Sequence, residues 1–164
     1  ATGKDADVQD QQVKASYSTA VLLMVKHMNF AIYEADADNI VRISIAIAQN
    51  SGIRPETKAA LDVLKNTLTE APEKGKGHIR SIIKICSGIF SHKPASAAND
   101  LETEGACGKL ALEIVGGLPR MYDSQHLLPH APQVQRELTL VCGHRVREVR
   151  KTARLARAAW ADLK

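Results

Sequence analysis

The stretch Arg136–Leu163, RELTLVCGHRVREVRKTARLARAAWADL, decides the fold. Its apolar residues Leu138, Cys142, Val146, Val149, Ala153, Ala156, Trp160 and Leu163 advance by steps of three and four. A helix completes a turn every 3.6 residues, so these positions line up as one near-heptad seam about seven turns long. The other face carries Arg145, Arg147, Arg150, Lys151, Arg154 and Arg157. The spacing predicts one long closing helix, apolar on one side and cationic on the other.

Working back from this helix, residues 119–131 hold Tyr122, Leu127 and Leu128 among Pro119, Pro129 and Pro132. That pattern predicts a short helical or irregular segment folded over the end of a bundle. Gly116-Gly117-Leu118-Pro119 reads as a break, and Gly105 and Gly108 as the separation between Leu110, Ala111 and Ile114 and a short helix over 95–101. Ile79, Ile82, Ile83, Cys86, Ile89 and Phe90 form a strong helical face closed by His92-Lys93-Pro94. The run 71–77, Ala-Pro-Glu-Lys-Gly-Lys-Gly, reads as the clearest interruption, a linker or exposed loop where any subdivision of the chain would fall. It lacks the Gly-Lys-Ser/Thr ending of a phosphate-binding loop.

In the first half, Pro55 and Glu56 suit a helix start, with Leu61, Leu64 and Leu68 as the buried stripe. Asn50-Ser51-Gly52 precedes it as a turn. Ile40, Ile43 and Ile47 share a helical face, although Ile43–Ile47 also alternates with period two; the neighbouring alanines favour a helix. Asp36 and Asp38 are its N-cap candidates. Val13, Tyr17, Ala20/Val21, Met24 and Met28 predict a first amphipathic helix reaching about Tyr33, after a polar, acidic and frayed segment 1–11. The expected fold is therefore all-α: an antiparallel helical bundle with a short capping or hook segment, in a single domain over 12–164.

Composition agrees. The chain has 164 residues, 45% hydrophobic and 24% charged, with 23 alanines and 4% aromatics, so its core favours closely packed helices. Net charge is +4, and the excess lies in the second half. Residues 1–72 sum to −2 and residues 73–164 to +6. Such asymmetry bears on partners rather than on fold. No apolar run approaches the roughly 20 residues of a membrane-spanning helix.

Catalytic signals are sparse. Cys86, Cys107 and Cys142 fit no metal spacing and read as small buried hydrophobes. His126 and His130 stand four apart, but Pro129 between them disfavours a regular helix that would aim both at one ion. No catalytic site, metal or cofactor is expected. The basic stripe is the candidate site, as a docking surface for an acidic protein; nucleic acid ranks behind, because Trp160 lies on the apolar seam and not among the arginines.

Residues 78–164 also resemble a known family in the order of their motifs. Arg80, Ile83, Ile85-Cys86, Ile89-Phe90 and Pro94 are followed by Gly108, Leu110-Ala111, Ile114 and Pro119, then by Leu127-Leu128 and the amphipathic stretch from Arg136 to Leu163. This succession resembles the BID domains, the delivery modules of effectors and relaxases exported by bacterial type IV secretion. Ser91 stands where the family usually has Gly. The resemblance implies a four-helix bundle capped by a hook, with basic surface areas and no catalytic site. It implies a translocation signal read by the secretion machinery at its coupling ATPase. It places the protein in the cytoplasm of the producing cell and, after transfer, in a recipient cell. The alternative expectation is a helical-bundle adaptor of the vinculin or talin kind, binding a partner helix through the Leu61/Leu64/Leu68 face.

Overall fold

The computed structural model describes residues 3–50, 52–91 and 101–163, with side chains from Gln12 onward apart from that of residue 101. Every regular element among them is helical. The longer helices are α1 (Gly3–Val25), α3 (Ala37–Asn50), α4 (Pro55–Glu70), α5 (Ile79–Phe90), α6 (Leu101–Met121), α8 (Ala131–Val141) and α9 (Arg147–Ala161). The short α2 (Phe30–Tyr33) and α7 (Ser124–Leu127) are each followed by a single 3-10 turn. The chain is an all-α bundle, with α7 and its 3-10 turn as the capping segment.

One continuous cluster of buried side chains runs from Leu22 to Trp160 and includes Leu61, Leu64, Ile82, Leu112, Leu118, Leu127 and Leu138. Residues on both sides of 72–77 belong to it. The run read as a linker is a packed 3-10 segment, Pro72–His78. Gly75 is buried in it, where any Cβ would overlap Leu68 and the Tyr122 hydroxyl. Tyr122 Oη donates to Pro72 O at 2.7 Å and fastens the segment to the end of α6.

The expected break at 116–119 is absent. α6 runs through Gly105, Gly108, Gly116, Gly117 and Pro119 without interruption. The reason is its neighbour. A Cβ at Gly116 would lie 3.0 Å from Ala156 Cβ and 3.1 Å from Ala156 Cα, so glycine permits the close approach of α9. Pro119 has no N–H and so leaves the Val115 carbonyl without its helical donor. Trp160 Nε1 supplies that bond at 2.8 Å, and the indole is fully buried.

The single closing helix is corrected too. The chain breaks at 142–146 into α8 and α9, with Val146 extended at the start of α9. Gln135 Nε2 donates to Trp160 O at 2.9 Å, so α8 and α9 form an antiparallel hairpin. The predicted ridge survives the break. Leu138, Val149, Ala153, Ala156 and Trp160 are buried, and Cys142, Val146 and Leu163 are partly buried against the core. The pairs Glu104–Arg145 and Val115–Trp160 ascend together in number, so α6 lies parallel to α9, as alternate members of an up-and-down bundle must.

The N-terminal expectation also changes. α1 takes up at Gly3, within the segment expected to fray, and ends at Val25; a turn at 26–29 follows, and Asn29 Oδ1 caps α2 by accepting from Ala31 N at 3.1 Å. Of the stripe picked out by spacing, Val21 packs partly against the core, but Val13 is 63% exposed, Tyr17 74% and Met24 63%. Leu22 and Val25 are the buried contacts instead. Gly52 adopts φ +63°, the left-handed region suited to glycine, and its carbonyl accepts the Thr57 hydroxyl in the first turn of α4. The short helix expected over 95–101 and the His92-Lys93-Pro94 closure lie outside the described residues, apart from residue 101, which opens α6.

Cys86 is fully buried and its thiol is pushed up to about 12 by desolvation. Cys107 is buried as well, whereas Cys142 is partly exposed. Thiolate supply controls reactivity, so a thiol reagent at pH 8 is expected to modify Cys142 in the native protein, with Cys86 and Cys107 reacting only on unfolding. Peptide mapping after a short pulse of reagent checks this; modification of Cys86 in the folded chain would contradict it.

Candidate functional site

α9 is built from helix-favouring residues, five of them alanine, and it opens with Glu148 in the first turn, where the helix dipole favours an acid. Val149, Ala153, Ala156 and Trp160 bury its inner ridge. At about 100° per residue, Arg147, Lys151 and Arg154 fall within an arc of about 60° on the outer surface, with Arg157 beside them. All four are exposed. Among the described residues, no carboxylate lies within the 4.0 Å ion-pair distance of any of these four.

The remaining two members of the predicted stripe do different work. Arg145 lies in the turn before α9 and donates from Nη2 to Glu104 Oε2 at 2.9 Å, so its charge is met within the chain. Arg150 Nη1 donates to the carbonyls of His144 and Arg145, at 2.8 and 2.9 Å. These carbonyls belong to the turn and lack helical donors, so Arg150 braces the junction from which α9 departs. The structure thus divides the six predicted cations into four outward charges and two struts. Sequence spacing could not separate them, because the acid partner Glu104 is 41 residues from Arg145.

His144 completes the junction. Its Nδ1 accepts the Val146 backbone N–H at 3.1 Å, and its Nε2 lies 3.9 Å from Glu104 Oε1. Desolvation holds its pKa below the usual 6.5; Glu104 opposes this, and Arg145 and Arg150 reinforce it. A proton on Nδ1 would abolish the acceptor for Val146. The folded state therefore favours neutral His144, so its contribution is present above the unfolded-state pKa and is lost as pH falls through the lowered value. Urea midpoints are expected to decline between pH 7 and 5 by less in His144→Asn, which keeps an acceptor but does not titrate. An unchanged slope would assign the decline to other groups.

The other sequence-flagged residues do not converge. His126 and His130 lie on α7 and its 3-10 turn, and among the described residues no group of three His, Cys, Asp or Glu side chains is placed to hold a metal ion. Leu61, Leu64 and Leu68 are interior at 0–1% exposure, so the face proposed for a partner helix is already covered by this chain. No helix among the described residues is long and apolar enough to cross a membrane.

Sequence reasoning missed an open trough of about 670 Å³ between α6 and α9. Leu112, Gly116, Ala156, Ala159 and Leu163 line it, with Lys65 and Arg120 on its α4 and α6 side. Leu155, 66% exposed, borders both this trough and a second hollow formed by Arg147, Arg150, Lys151 and Arg154. Its one legible signal was a leucine standing among the arginines, off the buried seam. No known family model matches the chain, and no curated protein sequence matches it.

Proposed function

We propose that this chain is a non-catalytic docking module, a translocation signal domain of the BID kind for type IV secretion. It engages an acidic surface of the coupling ATPase through Arg147, Lys151, Arg154 and Arg157. The observation that carries this reading is the outward row of four cations on one rigid helix, free of carboxylate partners among the described residues. Arg145 and Arg150 serve it indirectly by fixing the start of α9. A helix anchored by a buried Trp presents its charges in fixed register, which favours fast, salt-sensitive encounter with an acidic partner. The motif order supports the same reading. Ile83, Ile85, Cys86, Ile89 and Phe90 are core residues, and α5, α6, α8 and α9 make four substantial helices with a short cap between α6 and α8.

The test is transfer of a reporter fused to the chain from a donor carrying a type IV secretion system. Reversing Arg147, Lys151, Arg154 and Arg157 together to Glu is expected to cut transfer at least tenfold while leaving the thermal midpoint within a few degrees, since these side chains make no ion pair among the described residues. Transfer at the unaltered level, in a folded variant, would overturn the proposal.

A further inference from the structure

Resting on that docking reading, we infer that the partner segment is an acidic amphipathic helix whose apolar side chains seat in the α6–α9 trough. The trough and the cationic hollow adjoin at Leu155, which borders both. Charge is distributed unevenly along this path. At the α9 N-terminal end stand Arg147, Arg150, Lys151 and Arg154, all cationic. At the other end, Lys65 and Arg120 are matched by Glu113 and Asp162, and Glu113 is already held by Lys65 at 2.7 Å and by Lys109 at 3.9 Å. One end therefore calls for carboxylates and the other for uncharged, apolar groups.

A bare acidic surface would satisfy the first end and leave Leu155 and the trough in water. A nucleic-acid backbone would do the same, and the only tryptophan, which could otherwise stack a base, is buried in the core. An amphipathic helix with carboxylates toward one end and leucine-like residues at i and i+4 meets both demands, in the manner of helix-in-groove recognition. The trough is open to solvent on one side, which suits side chains projecting from a helix rather than a small molecule enclosed on all sides.

The probe is a synthetic 16-residue helical peptide with leucines on one face and four glutamates toward one end. Its twins carry Lys for Glu, or Ser for Leu, and a 20-base-pair DNA duplex serves as a further competitor. Binding is read by fluorescence anisotropy at low and moderate salt. The Glu/Leu peptide is expected to bind, and to bind about tenfold more weakly to Leu155→Ser and to Ala159→Trp, which removes the apolar border or fills the trough without altering charge. Leu155 is exposed, so its variant retains the fold even if the tryptophan disturbs packing. Equal binding of the Ser twin, with both variants unaffected, would overturn the trough inference and leave the cationic docking face standing. Equal binding of the Lys twin, preference for the duplex, or no binding of the Glu/Leu peptide would overturn the inference and count against the docking face as well.

Discussion

Trp160→Ala is expected to destabilise the chain by about 3–5 kcal/mol, the range for removing a fully buried aromatic side chain. For a chain of this length that is a fall of roughly 10 °C or more in Tm. Two losses combine. The indole fills the junction of α6, α8 and α9, and its Nε1–H satisfies the Val115 carbonyl. Trp160→Phe separates them, because it keeps much of the apolar volume and leaves the carbonyl orphaned, a cost of about 1–3 kcal/mol. Pro119 makes the second term testable. Pro119→Ala restores a backbone N–H four residues after Val115, which can then bond inside α6. The phenylalanine substitution is therefore expected to cost less in the Pro119→Ala background than in the natural one. Chemical denaturation of the four proteins measures the coupling; strict additivity would show that the tryptophan acts through volume alone.

Gly75→Ala is the second large effect. A Cβ at this site would overlap the Leu68 side chain and the Tyr122 hydroxyl, both packed in the core. Overpacking of this kind costs about 1–3 kcal/mol. Displacing Tyr122 also breaks its bond to Pro72 O, worth about 0.5–1.5 kcal/mol. Tyr122→Phe removes the obstructing oxygen, so the double variant is expected to be more stable than the sum of the single changes implies. The same tyrosine gives an alkaline signature. Burial, and secondarily Glu73, push its phenol up to about 12. The neutral phenol is the native form, so its contribution is complete below the unfolded value near 10 and is lost as pH rises toward 12. Tyr122→Phe should flatten the stability profile over that window. A wild-type-like profile in the variant would place the alkaline transition elsewhere.

Much of this architecture is legible in the one-dimensional pattern. The ridge from Leu138 to Leu163 faces inward at every position named from spacing, although the helix carrying it is interrupted. The interruption is hidden in the spacing because the helices on either side of it both turn their apolar residues to the same core. Of what holds that turn, Arg150 on the His144 and Arg145 carbonyls is a local contact, but Glu104 on Arg145 joins residues 41 apart, whose proximity no local rule expresses. The opposite error arose at Gly116–Pro119. Local propensity reads a break there, whereas a close neighbour that needs the glycine and an indole that takes the proline's missing bond keep the helix whole. In α1, periodicity announces a helix correctly but not which face finds neighbours, and Val13, Tyr17 and Met24 stay in solvent.

By itself, then, the order of amino acids determined that this chain forms helices, where most of their inward ridges lie, and that its excess positive charge gathers near the C-terminal end. These follow from short-range backbone geometry and hydrophobic periodicity, which act between residues a few positions apart. Only the tertiary structure decided which glycines are contacts rather than breaks, which arginines are struts rather than free charges, and that an apolar trough opens beside the free ones. Gly116 on Ala156, Trp160 on Val115 and Arg145 on Glu104 each depend on a partner 40 or so residues distant, brought near only when the helices pack.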